Sequence, residues 1–163
     1  MKWSFTVFDV ILIFLSRLAL VMLFLPFSAW DKIVNFRGAV AQAREIGVGP
    51  LIGAVMILTG LAIEIVCSLG VLTGVADRLA ALILAGYCGA TALLYKRWWS
   101  MQGGIFQPGD DDSRRAAFFD FWKNLAVAGG FAAIALGPTV RDVPALFDAP
   151  LSSTQPYAQD AGS

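Results

Sequence analysis

The chain has 163 residues, 58% of them apolar and 15% charged, with a mean hydropathy of +0.70, well outside the usage of soluble domains. Twelve basic and twelve acidic residues cancel, so net charge directs the protein neither to nucleic acid nor to acidic partners. Histidine is absent, which removes the commonest haem and metal ligand and the usual general base near neutral pH.

A helix crossing a bilayer core of about 30 Å needs roughly 20 mostly apolar residues, and four stretches meet that requirement. The first runs from about Val7 to Trp30, interrupted by Ser16 and Arg17. It continues past Arg17 to Ala29 without a small-x-small cleavage site, so it reads as a span and not as a cleavable leader. Residues 31 to 50 carry Ile33, Phe36, Val40 and Ile46 at loosely helical spacing with Lys32, Arg37 and Arg44 between them. That pattern suits either an interfacial amphipathic segment or a solvated loop.

The second span covers Leu51 to Leu72 and contains Glu64; the third covers Leu79 to Tyr95 without a charge. Only Gly74-Val75-Ala76-Asp77-Arg78 joins them, which forces an antiparallel hairpin. From Ser100 to Ala116 the pairs Gly103-Gly104 and Pro108-Gly109 and the triplet Asp110-Asp111-Asp112 read as a turn-rich loop. The three consecutive carboxylates lack the spaced ligands of a calcium loop and point instead to N-capping of the next helix by Asp112 or Ser113. The fourth span opens with amphipathic Phe121-Trp122-Lys123-Asn124 and ends near Val140, with Pro138 terminating it. The expected architecture is an all-α, four-helix transmembrane bundle over residues 1–140. Residues 141–163, rich in Pro, Ser, Ala and Asp, are expected as a mobile tail.

Four crossings put both termini and the short second connection on one side, with Lys2, Arg78 and Arg141. The opposite side holds Lys32, Arg37, Arg44, Lys96, Arg97, Arg114, Arg115 and Lys123. The positive-inside bias therefore makes 31–50 and 96–120 cytoplasmic and both termini external. Trp30, Trp98, Trp99 and Trp122 fall at the same interface as headgroup-level anchors. Lys123 is placed to snorkel there, and Asn124 to hydrogen-bond a neighbouring helix. Gly70 with Gly74, Ala81-Ala85-Gly89, and Gly129-Ala133-Gly137 recur every four residues and permit close helix approach, within the bundle or between copies in a homo-oligomer. Cys67 and Cys88 lack metal or dithiol spacing and read as core residues.

Arg17 and Glu64 stand out because each costs about 3 kcal/mol at a helix centre. At about 1.5 Å per residue, Arg17 lies roughly 15 Å and Glu64 roughly 12 Å from the outer ends of their spans. Matching depth predicts an intramembrane Arg17–Glu64 pair. Gly60, Cys67 and Ser68 share the Glu64 face of the second span. The pair is either a structural clamp or part of a polar pocket for a small lipophile such as a quinone headgroup, or a proton relay.

Arg17-Leu18-Ala19-Leu20, Phe24 and Lys32 in and after the first span, Glu64, Gly70 and Gly74 in the second, and Arg78-Leu79-Ala80-Ala81 opening the third resemble the DoxX-like family of small bacterial membrane proteins. Phe121-Trp122-Lys123-Asn124-Leu125-Ala126, Gly129-Gly130 and Gly137 extend the resemblance to about residue 140. Ser28-Ala29-Trp30-Asp31 stands where the family usually has Gly before the Lys, and the His of some members near the end of the third helix is absent. The resemblance implies a bacterial cytoplasmic-membrane location, a four-helix fold and an association with membrane redox systems, including sulfur-compound oxidation to quinone.

Two readings of function follow. In the first the protein is a membrane subunit of a redox assembly; it has no intrinsic cofactor, since no His, Cys motif or dinucleotide fingerprint is present, and a partner subunit supplies the redox centre. In the second it is a non-enzymatic scaffold whose basic, Trp-lined side docks a partner. A transporter fits less well, because no pair of broken helices builds a midplane site.

Overall fold

The structure, a computed structural model, describes residues 7–106, 112–137 and 144–153. Within them every regular element is helical: α1 Val7–Val21, a π turn over Leu23–Ser28, α2 Ala29–Val34, α3 Phe36–Ala43, α4 Pro50–Thr73, α5 Asp77–Tyr95, α6 Ser113–Leu136 and α7 Pro144–Asp148. Single 3-10 turns at Arg44–Ile46 and Trp98–Ser100 follow α3 and α5.

The first apolar run stays helical to Val34, four residues beyond the expected end. Pro26 explains its irregular middle. It has no N–H to donate and its ring collides with the carbonyl four residues back, so the helix widens into the π turn around it. This turn resets the faces of α2 relative to α1 and places Ser28 and Lys32, one helical turn apart, on the same side.

Most of segment 31–50 is helical, not a solvated loop. After a break at Asn35, α3 packs on the first half of α4. Small residues permit this: Ala39 and Ala43 are buried, and a Cβ on Gly53 would stand 3.3 Å from the Val40 carbonyl oxygen.

The expected hairpin forms between α4 and α5. Pro50 occupies the first turn of α4, and Gly74, with φ 78°, ends it in the left-handed conformation that glycine adopts without strain. The two helices close tightly at Gly70, where a Cβ would stand 3.0 Å from that of Ala80. α5 and α6 make the most extensive helix pair. α6 begins at Ser113, two turns before the expected Phe121. Asp112 does occupy its N-cap position, though without a side-chain bond to the helix. Asp110, Asp111, Pro138, Arg141 and Lys2 lie outside the described residues.

The core gathers Val21, Phe24, Val71, Leu84, Phe131 and both cysteines, with the Phe24 and Phe131 rings 5.7 Å apart. Outward faces are apolar too: Val7, Leu51, Leu58 and Val66 are each more than half exposed. A contiguous outer surface of this kind is at home in lipid. Among the described residues three helices, Val7–Val34, Pro50–Thr73 and Asp77–Ser100, are long and apolar enough to cross a bilayer. The protein is thus an all-α membrane protein. α6 spans 24 residues, but Arg114, Arg115, Asp120 and Lys123 charge its first half.

Of residues 141–163, the expected mobile tail, 141–143 and 154–163 lie outside the described residues, and in the remainder the segment Ala149–Ser153 bonds to the start of α5. The Leu79 amide donates to the Leu151 carbonyl at 3.3 Å, and Arg78 Nη1 donates to the Ala149 carbonyl at 3.1 Å. The start of α5, whose first amides have no partner within the helix, is covered in this way.

Candidate functional site

Arg17 and Glu64 do not pair. Arg17 Nη2 donates to Asp77 Oδ2 at 2.8 Å, and Glu64 Oε1 forms an ion pair with Lys32 Nζ. Antiparallel register is the physical reason. Fifteen residues separate Arg17 from Lys32 and thirteen separate Glu64 from Asp77, so at a common rise both pairs fit one alignment, about 20 Å apart along the bundle. The depth comparison had levelled Val7 with Leu72; the packing instead levels Arg17 with the hairpin tip.

At that tip Arg17 Nη1 also donates to the Val71 carbonyl at 2.7 Å. Val71 lies in the last turn of α4, whose carbonyls have no helical partner and carry the negative end of the dipole. Asp77 stands in the first turn of α5, at the positive end of that helix. It accepts from Arg17, from the Ser153 amide at 2.7 Å and from the Ser153 hydroxyl. One cation and one anion thereby hold two helix ends and the 149–153 segment together.

The second cluster is built differently. Glu64 is 1% exposed, and three donors converge on its Oε1: Lys32 Nζ, Ser28 Oγ at 3.0 Å and Tyr87 Oη at 3.0 Å. Lys32 also donates to Ser28 Oγ at 2.8 Å and comes within 3.4 Å of Tyr87 Oη. Glu64 Oε2 is buried and has no partner among the described residues. A buried carboxylate oxygen left in that condition costs upward of about 1–3 kcal/mol, so it marks a functional or water-filled position.

Glu64, Lys32, Ser28 and Tyr87 head a cleft of about 750 Å³, a size that suits a small organic ligand. Apolar residues of α4, α5 and α6 wall it, among them Met56, Ile63, Leu94 and Val127, and it runs to a polar mouth at Lys96, Asp120, Lys123 and Asn124. Lys96 and Asp120 pair across the mouth at 3.0 Å. Asn124 donates to the Asp120 carbonyl of its own helix at 3.0 Å, not to a neighbouring helix as expected. Lys123, largely exposed, stands 3.7 Å from Asp120.

Gly60 lies opposite Tyr87. A Cβ there would approach Tyr87 Oη to 2.9 Å, so Gly60→Ala is expected to push the hydroxyl off Glu64 and destabilise the protein by about 1–3 kcal/mol. In a Tyr87→Phe background, where the obstructing oxygen is gone, the same change should cost measurably less, read as non-additive thermal melts.

Of the other residues singled out from sequence, Cys67 and Ser68 are buried one turn beyond Glu64 on its face, outside the cleft. Trp98 and Trp99 meet Phe118 and Phe121, and Trp122 meets both phenylalanines, at ring distances of 5.1 to 6.2 Å. Trp30 joins none of these contacts and is exposed on α2. Sequence reasoning places Lys32 just after the first span, in an interfacial segment or a loop, and gives no role to Ser28, Asp77 or Tyr87. The four-residue spacing of Ser28 and Lys32 was the available signal.

These features define a helical membrane protein with two charged clusters buried inside it and a lipophilic cleft opening from one of them. The DoxX family matches residues 12–97, more than half of the chain, and the chain belongs to that family. Arg17, Ser28, Lys32, Glu64, Val71, Asp77 and Tyr87 fall within the match, whereas Ser153 and α6 lie beyond it. The inner membrane protein YphA of Escherichia coli (strain K12) is 26% identical over 130 residues, covering 78% of this chain and 84% of its own. No solved structure matches.

Proposed function

We propose that the protein is a cytoplasmic-membrane subunit of a redox assembly that binds a small lipophile, quinone-like in size and polarity, in the cleft headed by Glu64. The unpartnered Glu64 Oε2 carries the reading: a purely structural ion pair has no use for a carboxylate oxygen buried without a donor at the head of a ligand-sized cleft. When bound, a quinone supplies two-electron chemistry. The protein's part is to hold the head, pair Lys32 with Glu64, and shield both from bulk water. The inner-membrane relative supports the location.

In this reading α6 is the fourth crossing. Its 24 residues extend about 36 Å, Phe131 is fully buried, and a Cβ on Gly130 would meet Leu20 of α1 at 2.8 Å. The basic residues at the cleft mouth and around α3 then face the cytoplasm, with both termini outside. Lys32 leaves that count for the bundle interior, and the bias survives its loss. The Trp98, Phe118, Phe121 and Trp122 cluster favours a protein partner docked at the same end, which serves the redox assembly and a scaffold alike.

The test is lipid extraction and mass spectrometry of detergent-purified wild type beside Glu64→Gln, with a thermal melt of each. Wild type is expected to carry a small lipophile near one per chain, and the folded variant to lose at least about 90% of it. A wild type with nothing bound, alongside a variant that merely melts earlier, would leave the scaffold as the function.

A further inference from the structure

The Glu64 cluster has used its donors and kept an acceptor. Ser28, Tyr87 and Lys32 all donate to Glu64 Oε1. The remaining hydrogens of Lys32 are directed at Ser28 Oγ and Tyr87 Oη, and Thr91, the nearby hydroxyl on α5, donates to the carbonyls of Tyr87 and Cys88 at 3.0 Å. A ligand carbonyl brought against Glu64 finds the hydrogens of Lys32, Ser28, Tyr87 and Thr91 already committed. A ligand hydroxyl meets a carboxylate that lines the cleft and whose Oε2 is buried with its lone pairs unfilled.

We infer that the cleft selects lipophiles whose head donates a hydrogen bond, an alkylphenol or hydroquinone in preference to an ether or a quinone carbonyl, with Glu64 Oε2 as the acceptor. This rests on the cleft being a ligand site and adds its selectivity. A carbonyl head has to break a bond that Lys32 already makes; a hydroxyl head makes a new charge-assisted bond and breaks none. The apolar walls accept the alkyl body of either, so the difference between the two ligands lies in the head alone.

A matched pair of probes isolates that difference: a long-chain 4-alkylphenol and its methyl ether, of nearly equal size, with the ether unable to donate. Each is equilibrated with the full-length protein in nanodiscs, and the amount retained above protein-free nanodiscs is measured by mass spectrometry. The phenol is expected to bind at least about tenfold more tightly than the ether, and Glu64→Gln to bring the two within about twofold. Equal binding of both by wild type overturns the inference while leaving the ligand site intact, and is the result expected if water alone satisfies Oε2. Binding of neither overturns the ligand site itself. The comparison within wild type needs no variant, so it decides the question even if Glu64→Gln fails to fold.

Discussion

Asp77→Ala is expected to destabilise the protein by about 3–5 kcal/mol, a fall in melting temperature on the order of 10 °C. The carboxylate is fully buried, and its loss leaves the Arg17 guanidinium charged in a low-dielectric setting. The same substitution frees the Ser153 amide and hydroxyl and removes the acidic group at the start of α5. Replacing both charges, in Arg17→Met with Asp77→Ala, should recover much of the loss, because the burial penalty of each ion disappears with its partner. The measurement is a set of melts of the two single variants and the double variant. Additive losses would show that Arg17 and Asp77 do not act as a pair.

Lys32→Met is expected to cost a similar 3–5 kcal/mol, and more than Glu64→Gln. The asymmetry follows from exposure. The Glu64 side chain is 2% exposed and that of Lys32 15%, so an unpaired Lys32 can turn its ammonium along the cleft on its long stem, while the short Glu64 side chain holds an unpaired carboxylate where it is buried. Parallel melts of the two variants check the order. If Glu64→Gln proved the more damaging, Lys32 would be the charge with no escape, and the cleft would not reach it.

Much of the membrane architecture was legible because hydropathy states it directly. Pro50, Gly74 and the five-residue connection marked the α4–α5 hairpin, and the face shared by Gly60, Glu64, Cys67 and Ser68 is the buried one. The site was half legible. Arg17 and Glu64 were rightly singled out as charges that need partners, but pairing them assumed that the ends of the two apolar runs are level. The π turn at Pro26 and the small residues of α3 defeat that assumption: the first helical path runs on to Val34, and α2 and α3 pack on α4, which brings Lys32 up to Glu64. Tyr87 carried no signal, since a tyrosine in an apolar run is ordinary until its hydroxyl is seen to meet a carboxylate. The α6 boundary was missed because Arg114 and Arg115 look like loop residues, yet Arg114 is bound to the Trp98 carbonyl at 3.2 Å and lies in the first turn of the helix.

The central claim is that Glu64, paired to Lys32, heads a cleft that holds a lipophile. An experimental density map of the protein prepared in its native lipids tests it most directly. The account predicts elongated density between α4, α5 and α6 that ends within hydrogen-bond distance of Glu64 Oε2, with Lys32 on Oε1 and Arg17 on Asp77. A map showing Glu64 bonded to Arg17, or the cleft closed by the protein's own side chains, would contradict it.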